Sequence, residues 1–550
     1  MKHILFLWGF LICFSNVLTA QRLQLDWVEY EYKYPNFFVV DIFSDSSFLY
    51  IGGEVRDTAD FNFSNLSYSY TVNGSFDAYW GKYRKSDFTL EDIFIIAGPD
   101  SDFISDITVD KSGNMYICCM SYSSVLDIAP LVTDTFIINS YGGKDIIIAK
   151  YNPTGQLLWA RHIGGATSSD HGNEIRLDED GNLFVVGNVS GNVWIDSTAT
   201  HIIQRTAGYS SPFIAKYDST GVLQWINMLN ANFAYVIDIA INNQKTVTFA
   251  GSLIDSVNLG NEWFASDTPT SFLAIADSNG AVLWGDTLEG SLSSTQKVLI
   301  DDEYVYFVTN HGDNKINFAK YDFWGNRIFQ KSLFCTGMTD VRGFTFQDSF
   351  LLLFGMFSDT IYFDSIQMIP NYLITNGDLY FDIFTVSCDK NGNWQWIERT
   401  VSSDSATGGA FVSSVLIDES SIYLGLDIST INNNALINIA FSPSDFQVPE
   451  SKAVAKYNVI NTGLIQSAKD NISYLKLYPN PTQNMLMLQS GQTISHVIIY
   501  DLAGRPIQEE NWYGVPISLS GLASGVYIVV AYNQNGQLCG SEKLIKLDSQ

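Results

Sequence analysis

The chain has 550 residues, with 58 acidic against 30 basic side chains and a formal net charge of −28 at pH 7. That balance excludes nucleic acid and anionic membrane surfaces as partners, because like charges repel on approach. With 46% hydrophobic residues the chain can bury a large core, and its length would ordinarily be divided among several domains.

The N-terminus has the order of a secretory leader. Lys2 supplies the basic end, Ile4 to Phe14 form an unbroken apolar stretch, and polar Ser15 and Asn16 precede Ala20. The stretch is too short to cross the ~30 Å hydrocarbon core of a bilayer as a helix. Residues 1–20 are therefore expected to be a signal peptide, cut after Ala20. Cys13 follows Ile12, where a lipid-attachment site needs a small residue, so lipidation is not expected. Later apolar runs such as Phe350–Phe357 and Val526–Tyr532 have the length of buried strands, and no integral membrane segment is predicted. Beyond the leader stand Cys118, Cys119, Cys335, Cys388 and Cys539, an odd set without metal-type spacing. Neighbours in a strand face opposite ways, so Cys118 and Cys119 read as packing residues and no disulfide framework is expected.

From residue 23 the chain repeats itself. One piece is a short β-type run, a polar turn and a second run: Ser105 to Val109 turns through Asp110-Lys111-Ser112-Gly113-Asn114 into Met115-Tyr116-Ile117. The same layout returns at Asp178-Glu179-Asp180-Gly181-Asn182, with looser copies at Asp45, Asn242, Asp301, Asp348 and Asp418. A second piece follows each first one. Ala149-Lys150-Tyr151, Asn152-Pro153-Thr154-Gly155 and Trp159 recur as Ala215-Lys216-Tyr217 with Gly221 and Trp225, then as Asp277 to Gly280 with Trp284. Further copies lie at Asp322 and Gly325, at Asp389 to Gly392 with Trp396, and at Ala455-Lys456-Tyr457; Gly81-Lys82-Tyr83 is a worn first copy.

Each unit thus holds two hairpins, with glycine where the turn demands a positive φ and Asp or Asn where a side chain can close it. A four-stranded sheet that is apolar on both faces cannot hide both alone, whereas like sheets stacked around an axis can. The expected fold is all-β: a seven-bladed β-propeller over 21–468, followed by a small C-terminal immunoglobulin-like β-sandwich. Leu25 to Tyr30 resembles a fourth strand that no first three strands precede, so residues 23–32 are expected to complete the last blade. The paired hairpins resemble the seven-bladed β-propeller repeats of secreted bacterial proteins over about 23–466.

Past Ala468 the pattern changes. Leu477-Tyr478-Pro479-Asn480-Pro481-Thr482 opens a segment that continues with Val497 to Arg505, Ile517 to Val529 and the terminal Lys543 to Leu547. These short alternating strands between Pro-Asn-Pro, Ala-Gly and Ser-Gly turns fit a small antiparallel sandwich. Residues 472–550 resemble the type A sorting domain of the type IX secretion system of Bacteroidetes. The motif residues that carry the likeness are Tyr478, Pro479, Asn480, Pro481, Asp501, Gly504, Gly521, Gly525 and Tyr527. The resemblance implies an outer-membrane translocon as partner, and a secreted or outer-membrane-surface location after periplasmic transit.

Chemistry is harder to find. The turns at Asp110, Asp178 and Asp389 invite calcium, but none continues into a loop with a distal Glu, and hairpin closure is the better reading. Trp159, Trp225, Trp284 and Trp396 hold a fixed strand position that favours packing between blades over stacking on sugars. His162, His171, His201, His311 and His496 are scattered without metal spacing, and neither a nucleophile elbow nor a phosphate loop occurs. No catalytic residue, metal ligand or cofactor is assigned. Loop acids such as Asp57, Asp60, Asp196, Asp255, Asp359 and Asp364 would be the carboxylates of a glycoside-cleaving site. Several sit in Asp-Ser or Asp-Thr steps, as in Asp57-Thr58-Ala59 and Asp255-Ser256-Val257, that resemble the O-glycosylation motif of exported Bacteroidetes proteins. The favoured expectation is a monomeric, non-catalytic binding or adhesion scaffold for a glycan or protein ligand. The alternative is a secreted polysaccharide hydrolase or lyase with carboxylates at the propeller mouth.

Overall fold

The computed structural model describes residues 21–547 apart from 33–36, 62–67, 130–134, 167–169, 196–200, 204–209, 291–295, 313, 348–349, 365, 369–380, 404–407, 419–420, 431–436, 439–446, 449–450, 462–474, 479, 481, 491–493, 501–504, 513 and 535–537. Every regular element among the described residues is a strand. Residues Leu23–Val459 form one compact unit, and the chain from Ile460 onward belongs to a second.

The first unit is a β-propeller. Among the described residues, antiparallel sheets with a four-strand core span 37–96, 102–164, 171–228, 234–289, 296–335 and 339–403, numbered here as blades 1 to 6. A seventh has the order Gln21–Tyr32, Ser451–Asn461, Ser421–Thr430, Gly408–Asp418, so its outer strand comes from the start of the chain. The innermost strands touch in a cycle: Phe37–Ser44, Asp102–Val109, His171–Leu177, Ala234–Ile241, Gln296–Ile300, Thr339–Gln347, Gly408–Asp418 and back to Phe37–Ser44. Both faces of the sheets are covered by neighbours. Trp80 and Phe94 of blade 1 pack with Ile104, Ile117 and Ala149 of blade 2, and Tyr116 and Ile148 on the opposite face of blade 2 pack with Val185 and Ala215 of blade 3. Each such aliphatic or aromatic side chain contributes about 1.5–3 kcal/mol by leaving water.

The repeat motif explains how the blades lock together. In the turn at Asp218, Oδ1 accepts the N–H groups of Thr220 at 2.9 Å and Val222 at 3.0 Å, and Gly221 adopts φ 80°. The Trp159 ring of the preceding blade lies on that glycine, where a Cβ would stand 2.7 Å from it, and Trp159 Nε1 donates to Ser219 O at 3.2 Å. The arrangement recurs as Trp225 on Gly280, with Nε1 3.1 Å from Ser278 O, and as Trp284 beside Gly325, with Nε1 2.8 Å from Phe323 O. Phe94 on Gly155 and Phe329 on Gly392 repeat the ring contact without the donor. Glycine is needed at these turns twice over, for its backbone angle and for the ring above it.

Several connections between second and third strands carry short strands of their own. The hairpin Val193–Ile195/His201–Ile203, which belongs to blade 3, pairs with the end of the outer strand of blade 2 through Ile163↔Ile195 and Gly164↔Trp194. Blade 6 extends blade 5 in the same way through Phe334↔Tyr362 and Cys335↔Ile361, and blade 7 extends blade 6 through Ser402↔Asn438 and Ser403↔Ile437. Weaker bridges, Ala97↔Asp127 and Ala231↔Val257, do this for blades 1 and 3. These connections cover exposed sheet edges, a burden every propeller blade carries.

The second unit is a two-sheet sandwich. Leu475–Tyr478, Met485–Ser490 and Ile517–Ser518 form one sheet, and Pro506–Asn511, His496–Tyr500, Gly525–Tyr532 and Leu538–Lys546 the other. Leu486, Leu488, Val497, Ile499, Val529 and Leu544 fill the space between them.

Candidate functional site

The carboxylates that come together do so on the innermost strands of the propeller. In blades 1 to 4 a β-bulge places an acid directly after the irregularity: Asp41, Asp106, Glu174 and Asp238. Such bulges re-aim a side chain out of the ladder. Asp41 Oδ2 accepts the N–H of Ile107 in blade 2 at 3.2 Å, Asp106 Oδ2 that of Ile175 in blade 3 at 2.6 Å, and Asp238 Oδ2 that of Val298 in blade 5 at 2.8 Å. Asn188 and Asn310 perform the same duty for Val236, at 3.0 Å, and Val341, at 3.2 Å. Arg176 bridges Asp106 at 3.1 Å and also Glu174, while Lys297 lies 3.8 Å from Asp238 and 3.9 Å from Glu174.

Charge in this belt is unbalanced, with four carboxylates facing two cations. Burial, then the Glu174 and Asp41 carboxylates, push Asp106 well above the usual carboxylate range. Burial also raises Glu174, with Arg176 and Lys297 pulling it back. Burial opposes charge on Arg176 and Lys297, yet the surrounding carboxylates hold both above their ordinary values. The belt ties blade to blade at the axis. No group of three or more His, Cys, Asp or Glu side chains is arranged to hold a metal ion among the described residues.

A second polar cluster lies in blade 2 and reaches the first strand of blade 3. Asp102 is fully buried and bonded to Ser121 at 2.5 Å and Ser123 at 3.0 Å; burial pushes its carboxyl up to about 7 despite those bonds. Asp145 Oδ2 accepts from Ser140 Oγ at 2.7 Å and Tyr141 N–H at 2.9 Å, and lies 2.9 Å from His162 Nε2. Tyr141 stacks on His162 with ring centroids 4.0 Å apart. Lys144, almost fully buried, touches His171, and burial lowers its amine to about 8.

The residues singled out in the sequence are placed as follows. Asp110, Asp178 and Asp389 spend their side chains on their own turns, as in Asp110 Oδ1 to Ser112 N and Asn114 N, both at 2.9 Å. Trp159, Trp225 and Trp284 pack between blades; the Trp396 side chain lies outside the described residues, as do those of Asp60, Asp196 and His201. Asp57 lies in blade 1, Asp255 in blade 4, and Asp359 and Asp364 in one connection of blade 6. Cys118, Cys119, Cys335 and Cys388 are buried free thiols. Sequence reasoning missed the axial belt, although Asp41-Ile42, Asp106-Ile107, Glu174-Ile175 and Asp238-Ile239 form a repeated acid–isoleucine step that would have disclosed it.

In the C-terminal unit Asn480 clips the last strand, its Nδ2 donating to Lys543 O at 2.6 Å and its Oδ1 accepting Ile545 N–H at 2.9 Å. Tyr527 is buried, with its hydroxyl donating to Ala523 O at 2.8 Å. Tyr478 ends a strand, and Gly525 begins one. Gly521 is exposed, with no atom within 4 Å of the place its Cβ would take. Pro479, Pro481, Asp501 and Gly504 lie outside the described residues.

Residues 476–546 match the secretion system C-terminal sorting domain. The C-terminal unit thereby marks the chain for the type IX secretion system, to the cell surface or beyond it. A 163-residue stretch, 29% of the chain, is 28% identical to an uncharacterised WD repeat-containing protein of Acanthamoeba polyphaga mimivirus and spans about a tenth of it, 11%. Among solved structures, the phage phi92 endosialidase aligns at 10% identity and TM-score 0.36, covering 97% of this chain and 80% of that one. A europium-containing methanol dehydrogenase aligns at 8% and 0.39, covering 80% and 94%. PorZ, a surface component of the type IX system of Porphyromonas gingivalis, aligns at 9% and 0.16, covering 94% and 100%.

Proposed function

We propose that this is an exported binding or adhesion scaffold of a Bacteroidetes cell. Its leader, residues 1–20, is removed on the way to the periplasm, residues 21–468 fold as a seven-bladed propeller of the secreted bacterial kind, and residues 472–550 hand the chain to the outer-membrane translocon. The monomeric propeller then presents its surface to a glycan or protein ligand. The observation that carries the non-catalytic reading is how the clustered carboxylates are used: Asp41, Asp106 and Asp238 are each bonded to a backbone N–H of another blade. Two carboxyls committed to holding blades together are poorly placed to act as acid and nucleophile on a sugar. The sorting-domain motif divides in the same reading, with Asn480 and Tyr527 building the sandwich and Gly521 left for recognition by the secretion machinery.

A glycan array paired with a polysaccharide turnover assay on the purified mature protein tests this. Binding without turnover is expected. Release of reducing ends or unsaturated products from any polymer would replace the scaffold with a hydrolase or lyase.

A further inference from the structure

In the axial belt Arg176 stands between Asp106 and Glu174, and Lys297 between Glu174 and Asp238. At the joint of blades 1 and 2 two acids meet directly. The Ile107 N–H lies 3.2 Å from Asp41 Oδ2 and 3.0 Å from Asp106 Oδ1, so two carboxyl oxygens converge on a single donor. The two side chains are within hydrogen-bonding reach of each other. Ionised carboxylates only accept, so a bond between them needs a proton on one. Geometry says which. Asp106 is buried, and its Oδ2 already accepts the Ile175 N–H at 2.6 Å and lies 3.1 Å from Arg176 Nη1, which leaves Oδ1 to carry the proton. Asp41 is only half-buried and keeps its charge at less cost.

We infer that Asp106 donates a proton from Oδ1 to the Asp41 carboxylate, forming an acid–carboxylate clasp between the innermost strands of blades 1 and 2 that opens when the proton is lost. Without the proton, two carboxylates would repel each other across the joint. The surroundings favour the closed form. From blade 3, Glu174 repels charge on Asp106 and Arg176 attracts it; Lys297 stands further along the belt, beside Glu174. Cys118 faces Asp106 from the second strand of its own blade, and burial pushes that thiol up to about 12, so it stays neutral. The second strand of blade 1 lays Gly52 against Ile104 and Ile107, and its third strand brings Asp77 to Asp102. Burial first, then Glu174 and Asp41, hold the Asp106 carboxyl well above the ordinary range against the pull of Arg176. The clasp is therefore fully stabilising below the ordinary carboxylate range, and its contribution is lost as pH rises through the folded-state value. Asn188 and Asn310 accept the Val236 and Val341 N–H groups at the corresponding joints, so a neutral side chain can hold one.

The test uses the full mature chain, with aspartate isotope-labelled at the side-chain carboxyl. At about pH 6 an ordinary Asp, with a value of ~3.9, is ionised. The infrared difference between the parent and Asp106→Asn at that pH should contain the carbonyl stretch of one protonated carboxyl. Between about pH 5 and pH 7 the parent should also take up about one proton more on folding than Asp106→Asn, read from the pH dependence of unfolding. Asp102 titrates in both proteins and cancels. Asp41→Asn supplies a second reading even where Asp106→Asn does not fold: its protonated-carboxyl band should disappear about one pH unit below the parent's, because a like charge has been removed. A difference spectrum without the band, equal proton uptake by the two proteins, or an unshifted titration in Asp41→Asn would overturn the inference. A band that appears only after a chelator is added would put a metal ion between the two acids and overturn it equally.

Discussion

Two glycines from two recurring motifs are held in very different surroundings. Gly221 of the propeller has φ 80° and lies under the Trp159 ring, where a Cβ would come within 2.7 Å. Gly521 of the C-terminal unit is exposed, and a Cβ there would meet nothing within 4 Å. The first glycine is demanded by the fold. The second is not, and in the reading proposed above its place in the motif serves recognition by the secretion machinery. Repetition in the propeller therefore records a packing problem solved blade after blade, while the tail motif mixes folding residues such as Asn480 with residues presented outward.

That contrast predicts unequal responses to mutation. The largest effect should follow removal of Gln21–Tyr32, which stands as the outer strand of the seventh sheet. Loss of one strand from a closed ring exposes the apolar faces it covered, and a thermal melt should fall by 10 °C or more, on the order of several kcal/mol. A melt unchanged by that truncation would mean that the ring closes without it. Gly221→Ala comes next: the forced positive φ and the displaced Trp159 ring should cost about 1–3 kcal/mol, measured by denaturant unfolding. Gly521→Ala in the same assay should lie within about 0.5 kcal/mol of the parent, yet secretion of the variant should drop. Equal destabilisation by the two substitutions would erase the distinction.

The propeller can be probed further through Asp102. Its folded-state carboxyl titrates near 7, above the ordinary unfolded value, so the folded state holds its proton more tightly. The associated stabilisation is complete below the ordinary carboxylate range and is lost as pH rises through 7. Asp102→Asn should remove this term, and the difference in stability between pH 5 and pH 8 should shrink by on the order of 1–3 kcal/mol. The acids of the turns work in the opposite direction. Hydrogen bonds outweigh burial and lower Asp110 and Asp322, whose contributions fade only as pH drops below the ordinary carboxylate range.

Much of this architecture was legible in the chain because its signals are local. The Asp-x-x-Gly turn, the tryptophan a few residues later and the alternating strands all fall within one hairpin, so they announce the blade and its packing. The orphan strand near Leu25 also advertised its need for partners. What escaped was non-local. The axial belt joins residues 60 or more positions apart, such as Asp41 with Ile107 and Asp106 with Ile175, and only closure of the ring brings them together. The covering hairpins were hidden for the same reason, since Val193–Ile195 completes the sheet of the preceding blade and not its own. Among the described loop acids offered for a glycoside-cleaving site, Asp57 and Asp255 belong to connections of blades 1 and 4, and Asp359 and Asp364 to one connection of blade 6.

The central claim is that the C-terminal unit alone carries the address. Appending residues 472–550, behind the leader, to an unrelated periplasmic reporter in a cell with a working type IX system tests it directly. Reporter activity is predicted on intact cells or in the medium, and in the periplasm once the unit is removed. Reporter retained in the periplasm with the unit attached, or reaching the surface without it, would contradict the account.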